Sequence, residues 1–187
     1  MQIFIGGSRE ITSLDAAVQT RLNNVVEQGY TVLIGDAAGA DQAVQQYLLA
    51  KAYPTVVVYC TGGQCRHNLG QWPVKLVTPP HATKDFAYFA AKDTAMAEAA
   101  DYGLMLWNGQ SAGTLRNVLN LLKRGRTTLV YLAAQFHPLT SAADLQKLLA
   151  HLPAHVRAAL DRKINLSKEL AALTTAPALS RQLDLLP

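Results

Sequence analysis

The segment YGLMLWNGQSAGT, residues 102–114, decides the fold. Its first half, Tyr102–Trp107, is a short apolar run of strand character. Its second half breaks at Asn108–Ser111 and leads directly into Ala112–Lys123, which has helical spacing and stops at Gly125. Strand, glycine loop and helix in immediate succession form the repeating unit of an α/β protein, and the unit recurs upstream of this segment.

Upstream, Ile3–Ile5 is a buried first strand that ends at Gly6-Gly7. Leu14–Val26 follows as a helix, with Ser13 as its N-cap and Gly29 as its stop. Thr31–Ile34 is the second strand, Gly35–Asp41 a loop and Gln42–Ala52 the second helix. Thr55–Tyr59 is rich in β-branched residues and is the third strand. Lys84–Ala100 is Ala-rich and helical, Tyr102–Trp107 is the fourth strand and Thr127–Leu132 the fifth. Right-handed crossovers then predict a doubly wound, Rossmann-like parallel sheet of about five strands, in the order 3-2-1-4-5. In that order the first and fourth strands are neighbours. A crevice opens at their carboxyl ends, and the loops after them face each other across it.

Two stretches fall outside this rhythm. Cys60–Thr83 holds Gly62, Gly63, Gly70, Pro73, Pro79 and Pro80 without a period, and such an insert in a compact domain often caps a binding site. After residue 133 the strands stop. Ala142–Leu152 and Ala154–Leu173 are predicted as two helices separated by Pro153, and the tail from Thr174, with Pro177 and Pro187, as loose or partner-dependent. The expected division is a domain over 1–133 and a helical extension over 134–187, packed on that domain or on a dimer partner.

The 187 residues are 50% hydrophobic and 16% charged, which supports a sizeable core and argues against disorder. The net charge of +4 is spread evenly: residues 1–133 carry eleven Lys/Arg against nine Asp/Glu, and residues 134–187 six against four. No basic stripe marks a nucleic-acid face. The first residues, MQIFIGGSRE, lack the features of a signal peptide, and no apolar run is long enough for a membrane span. Two scattered cysteines, Cys60 and Cys65, do not make a disulfide framework. The expectation is a reduced, soluble, cytoplasmic protein.

Three loops carry the candidate chemistry. In Gly6-Gly7-Ser8-Arg9 the glycines let a ligand approach the backbone, Ser8 offers a hydroxyl and Arg9 a fork for phosphate or carboxylate. In the second loop, Gly35, Asp36, Gly39 and Asp41 are candidates. Asp36 stands at the strand end, where a carboxylate meets ribose hydroxyls, and Asp41 is a candidate helix cap. The third loop, with Gly109, Ser111, Gly113 and Thr114, is the strongest signal. Free amides and the positive end of the helix dipole make such a helix start an anion site. It is neither a Walker A loop nor a dinucleotide fingerprint. Trp107 could stack a base, and Arg66 in the insert could close over a phosphate. Cys60, Cys65 and His67 lack the spacing and the fourth ligand of a zinc site, so no metal is expected.

Taken together, Ile-Gly-Gly-Ser-Arg after the first strand, Gly-Asp-Ala-x-Gly-Ala-Asp after the second, Lys-Asp-x-x-Met-Ala-x-x-Ala-Asp before the fourth and Trp-x-Gly-x-Ser-x-Gly-Thr after it resemble the SLOG superfamily. The nearest branch is the YpsA/YspA-related proteins, and the likeness covers roughly residues 1–133. It implies a Rossmann-like fold, phosphate binding at Ser111, Gly113 and Thr114, a basic residue near Lys92 facing the ligand, and a homodimer or higher homo-oligomer. The superfamily includes LOG-type nucleotide phosphoribohydrolases, the DNA-binding protein DprA and ligand-sensing domains. Nucleoside deoxyribosyltransferases share a similar Gly-Thr segment. LOG-type enzymes carry a catalytic Glu three residues after the Gly-Thr pair, where this chain has Asn117. A neutral amide cannot take that role, which leaves Asp36, Asp93, Glu98 or Asp101 as substitutes.

The expected function is therefore binding of a nucleotide-like or ADP-ribose-like ligand, as a sensor or regulator, with no cofactor. The alternative is a nucleotide N-glycosidase or deoxyribosyltransferase-like enzyme, with Asp36 and Glu98 as its catalytic candidates. A DprA-like nucleic-acid binder ranks behind both.

Overall fold

The computed structural model describes residues 1–83 and 85–175. Lys84 and the tail beyond Thr175, for which a loose or partner-dependent state was expected, lie outside the described residues. Among the described residues seven strands form one sheet: β1 (Gln2–Gly7), β2 (Thr31–Gly35), β3 (Val56–Thr61), β4 (Val74–Val77), β5 (Tyr102–Leu106), β6 (Thr128–Leu132) and β7 (Gln135–Leu139). Among the described residues seven helices accompany them: α1 (Ala16–Glu27), α2 (Ala40–Ala50), α3 (Phe86–Ala99), α4 (Ala112–Lys123), α5 (Ala142–Ala150), α6 (Ala154–Ile164) and α7 (Leu166–Thr175).

The sheet is α/β and mostly parallel, in the order β4-β3-β2-β1-β5-β6-β7. It is larger than the five strands expected, and its order differs because a strand is added at each edge. At one edge, the insert after β3 returns as β4, parallel to β3. At the other edge β7 folds back antiparallel on β6, with Tyr131 opposite Phe136 and Leu132 opposite Gln135. Only Ala133 and Ala134 separate these two strands, at φ of 50° and 61°. A two-residue hairpin needs positive φ at both positions, normally announced by Asn-Gly or Asp-Gly, and two alanines give no such signal. Pro138 lies within β7, a position that an edge strand tolerates. The expected boundary at 133/134 thus falls inside a hairpin turn.

Smaller corrections follow the same logic. The N-cap of α1 is Asp15, which accepts a bond from the Val18 amide at 3.1 Å, and not Ser13. The second C-terminal helix is two helices, because Asn165 takes the left-handed conformation at φ 51° between α6 and α7. Asparagine reaches that conformation more readily than other side chains with a Cβ.

Two cores sandwich the sheet. One, on the side of α1 and α2, gathers Ile3, Ile5, Val18, Leu22, Val32, Ile34, Val44 and Leu48. The other, on the side of α3 and α4, gathers Phe4, Leu33, Met96, Met105, Leu115, Val118 and Leu119. Strands buried on both faces explain the continuous apolar runs of β1, β2 and β5. The second core continues into Leu139, Leu145, Leu148, Leu160, Ile164 and Leu166, so the extension packs on the domain. No helix among the described residues is long and apolar enough to cross a membrane.

Candidate functional site

β1 and β5 lie side by side in parallel, Gly7 opposite Leu106, so their carboxyl-end loops meet. The Ser8 amide donates to the Leu106 carbonyl at 2.9 Å. The Ser8 hydroxyl donates to Asn108 Oδ1 at 3.0 Å, accepts from the Asn108 amide at 3.1 Å and lies 3.3 Å from Thr114 Oγ1. Ser8 is buried. The hydroxyl expected to meet a ligand instead ties the two loops together. Asn108, which the sequence did not single out, organises the β5 loop: its Oδ1 also accepts from the amides of Gln110 and Ser111, at 3.0 and 2.9 Å.

The start of α4 is capped from within. Ser111 Oγ accepts from the Thr114 amide at 3.3 Å and from Thr114 Oγ1 at 3.0 Å. Two of the expected phosphate ligands are thus engaged with each other. The amides of Ala112 and Gly113 make no hydrogen bond among the described residues. A Cβ built on Gly113 would meet nothing nearer than Ser111 Oγ, at 3.9 Å. The open position at this helix start is therefore Gly113. Trp107 is buried in the core, its Nε1 donating to the Ser111 carbonyl at 3.0 Å, so the ring anchors the loop and is not placed to stack a base. Gly109 packs toward Leu132 and Leu152. Ser111→Ala removes the cap and is expected to cost about 1 kcal/mol in urea unfolding. A change under a few tenths would show that the Ser111 hydroxyl contributes nothing as a cap.

Beside this loop pair, at the carboxyl end of β2, lies a buried ionic cluster. Asp36 is held at both oxygens by Arg66: Nη2 donates at 2.6 Å, Nε at 3.1 Å and the Arg66 amide at 3.0 Å. Burial pushes the Asp36 carboxyl up, but the hydrogen bonds and charge of Arg66 outweigh it and hold it below its ordinary value. Lys92, on α3, is buried and donates to Asp93 at 2.6 Å. Burial favours its neutral form, yet the charges of Asp93 and Asp41 outweigh burial and keep it an ammonium.

Asp41 is not the helix cap that was expected. Gly39 takes the N-cap position, and Asp41 sits in the first turn of α2, buried, accepting from the Ala37 amide at 3.1 Å. Burial pushes its carboxyl up to about 6, against the pull of Lys92. Gly35 explains how these groups converge. A Cβ there would lie 2.4 Å from Asp41 Oδ2 and 2.6 Å from Lys92 Nζ, so both polar ends occupy the space a side chain would fill.

The insert completes the cluster. His67 Nδ1 lies 2.9 Å from the Asp36 carbonyl oxygen. Gln45, buried on α2, donates to the Gly35 carbonyl at 2.8 Å and accepts from the Leu69 amide at 3.0 Å. Neither Gln45 nor the grouping of Lys92 with Asp41 was legible, because their proximity depends on α2 and α3 crossing opposite faces of the sheet.

Other candidates fall elsewhere. Glu98, near the end of α3, pairs with Arg124 at 2.7 Å and is largely exposed. Asp101 accepts from the Gln2 amide at 2.8 Å, at the amino end of β1, opposite the loops. Arg9 is exposed, with its backbone against Gly39. Gly6 and Gly7 serve packing: a Cβ on Gly7 would lie 2.3 Å from the Leu106 carbonyl oxygen, and one on Gly6 3.1 Å from the Phe4 ring.

The thiols expected to be reduced are joined: Cys60 and Cys65 form a disulfide, with Cα atoms 5.2 Å apart. The sequence spacing permitted this bridge but did not demand it. The positions of the strand end and the return loop decide it. Compared with known proteins, the chain matches no family model and no curated sequence.

Proposed function

We propose that this chain binds a nucleotide-like or ADP-ribose-like anion, its phosphate over Gly113 at the start of α4 and its sugar toward Asp36. The carrying observation is the open approach to Gly113, where two unengaged helix amides lie beside the joined β1 and β5 loops. Such a terminus favours negative charge. The resemblance of the loops to the SLOG superfamily supports the same reading. Ser8, Ser111 and Thr114 shape the cradle, and Arg9 supplies an exposed cation near its rim. A cytoplasmic, homo-oligomeric sensor fits this reading.

The second reading is hydrolysis of a base–ribose bond. The observation favouring it is Asp36, a carboxylate held ionised by Arg66 at the crevice end, in place of the Glu that Asn117 replaces. This reading requires free base to appear, and to stop appearing in Asp36→Asn.

A panel of nucleoside monophosphates and ADP-ribose, followed by thermal shift and by release of free base, separates the two. Binding raises Tm whether or not chemistry follows. Gly113→Asp sharpens the test. A carboxylate near the start of a helix favours the fold by roughly 0.3–1 kcal/mol, but it occupies and repels the anion position. The expected result is an unchanged or slightly higher Tm without ligand, and loss of the ligand-induced shift. A variant that still responds fully places the ligand elsewhere.

A further inference from the structure

We propose that Cys60 and Cys65 are a reversible redox site that fastens the Arg66–Leu69 segment over the β2 loop. Cys60 is the next-to-last residue of β3 and is fully buried, whereas Cys65 is half-buried in the loop that follows. The bridge spans a separation of five residues and closes the loop Thr61-Gly62-Gly63-Gln64. Gly63 and Gln64 are exposed. The residue directly after the bridge is Arg66, whose amide and guanidinium together saturate Asp36. His67 and Leu69 continue the attachment, to the Asp36 carbonyl and to Gln45. One covalent bond thus stands next to a run of hydrogen bonds laid across the sugar end of the proposed site.

Two further observations point to a second state of this loop. The Thr61 hydroxyl, inside the bridged loop, is buried with no hydrogen-bond partner among the described residues. Buried polar groups are almost always satisfied, so this hydroxyl marks the β3 end, where the bridged segment begins, as imperfectly accommodated in the closed arrangement. The Arg66 side chain is 42% exposed although its partner Asp36 is only 3% exposed, and its guanidinium lies 5.0 Å over the Phe89 ring, so Arg66 holds Asp36 from a solvent-facing position. While it stays, both Asp36 oxygens are occupied and unavailable to a ribose.

The reductant is a dithiol. One of its thiolates attacks Sγ of Cys65, the reachable sulfur, forming a mixed disulfide as the Sγ–Sγ bond breaks. Cys60 leaves as a thiolate and takes up a proton. The second thiol of the reductant then attacks the mixed disulfide and frees Cys65. The products are two protein thiols and the reductant's own disulfide, and two electrons pass to the protein. Without the bridge, the loop regains conformational freedom and the Arg66–Asp36 contact loses its tether. Reduction therefore opens Asp36, and oxidation closes it.

The test is hydrogen–deuterium exchange on the full chain, without ligand, in the air-oxidised state and after reduction with dithiothreitol. Counting alkylated thiols confirms each state. Exchange over Arg66–Leu69 is expected to accelerate on the order of tenfold on reduction, while the amides of β1 and β5 stay unchanged. Cys65→Ser should behave as the reduced protein in both oxidised and reduced buffers. Unchanged exchange over residues 66–69 on reduction overturns the proposal, as does an oxidised protein in which both thiols remain open to alkylation. Because no nucleotide is present, these outcomes are independent of the ligand panel. If ligand is bound, the reduced protein should bind it more tightly.

Discussion

Lys92→Met is expected to lower the free energy of unfolding by about 3–5 kcal/mol at pH 7, the usual cost of breaking a buried charge pair by removing one partner. In a chain of this size that corresponds to a fall in Tm of roughly 10 °C. Lys92 is the ammonium shared by Asp93, at 2.6 Å, and by Asp41 across Gly35. Methionine fills a similar volume but leaves the buried Asp41 carboxylate and the partly buried Asp93 carboxylate without the cation between them. Urea unfolding from pH 5 to pH 8 measures the loss and also its cause. In the native chain the Asp41 carboxyl is raised from 3.8 to about 6. A group raised in the folded state contributes stability that is fully present below 3.8 and is lost as the pH climbs through 6.

Asp36 and Asp144 have the opposite sign. Burial raises them, hydrogen bonds outweigh burial, and their contribution is lost as the pH falls through the acid range. Stability of the native chain is therefore expected to rise from pH 7 toward pH 5 and to fall below pH 4. In Lys92→Met, Asp41 titrates still higher, so the loss is largest at pH 8 and smaller at pH 5. A loss under about 1 kcal/mol, or one equal at both pH values, would mean that the cluster does not carry the charges described here.

Gly39→Ala is expected to cost roughly 3–5 kcal/mol, from backbone strain and overpacking together. Gly39 has φ 81° and ψ −128°, a conformation open in practice only to glycine. A Cβ there would also lie 2.1 Å from the Arg9 carbonyl oxygen and 2.4 Å from Arg9 Cα. Backbone packs on backbone at this point, so no rotamer change relieves the clash. The Ser8 carbonyl accepts from the Ala40 amide at 3.2 Å beside it, and a shift here also disturbs the Ser8–Asn108 tie. Thermal unfolding and the ligand-induced shift should therefore fall together. In Gly113→Asp only the second falls. A Gly39→Ala protein as stable as the native chain would show that the β1 and β2 loops do not touch.

The proposed anion position and the ionic cluster differed in how far the chain itself revealed them. The Ser111–Thr114 helix start is local: the cap, the glycine and the helix dipole all lie within four residues. Sequence spacing located this helix start and proposed Ser111 and Thr114 as ligand contacts, but it did not show that the two side chains hold each other. Asp36 and Arg66 were both candidates, yet thirty residues separate them and nothing in the chain pairs them. Asp41 was a ligand candidate with helix capping as its alternative, because an aspartate at a helix start often caps it. Burial against Lys92 gave it a different role.

The amino-acid sequence by itself determined the alternation of strands and helices, and with it a mostly parallel sheet whose β1 and β5 loops meet. Apolar runs, glycine breaks and helical spacing are short-range properties, and the handedness of crossovers turns them into topology. Only the tertiary structure decided the two edge strands, the third C-terminal helix, the Cys60–Cys65 bridge and the grouping of Asp36, Asp41, Arg66, Lys92 and Asp93. Each of these depends on burial and on distances between segments remote in the chain. Desolvation there changes what a carboxylate, a lysine or a pair of alanines can do, and no spacing along the sequence records it.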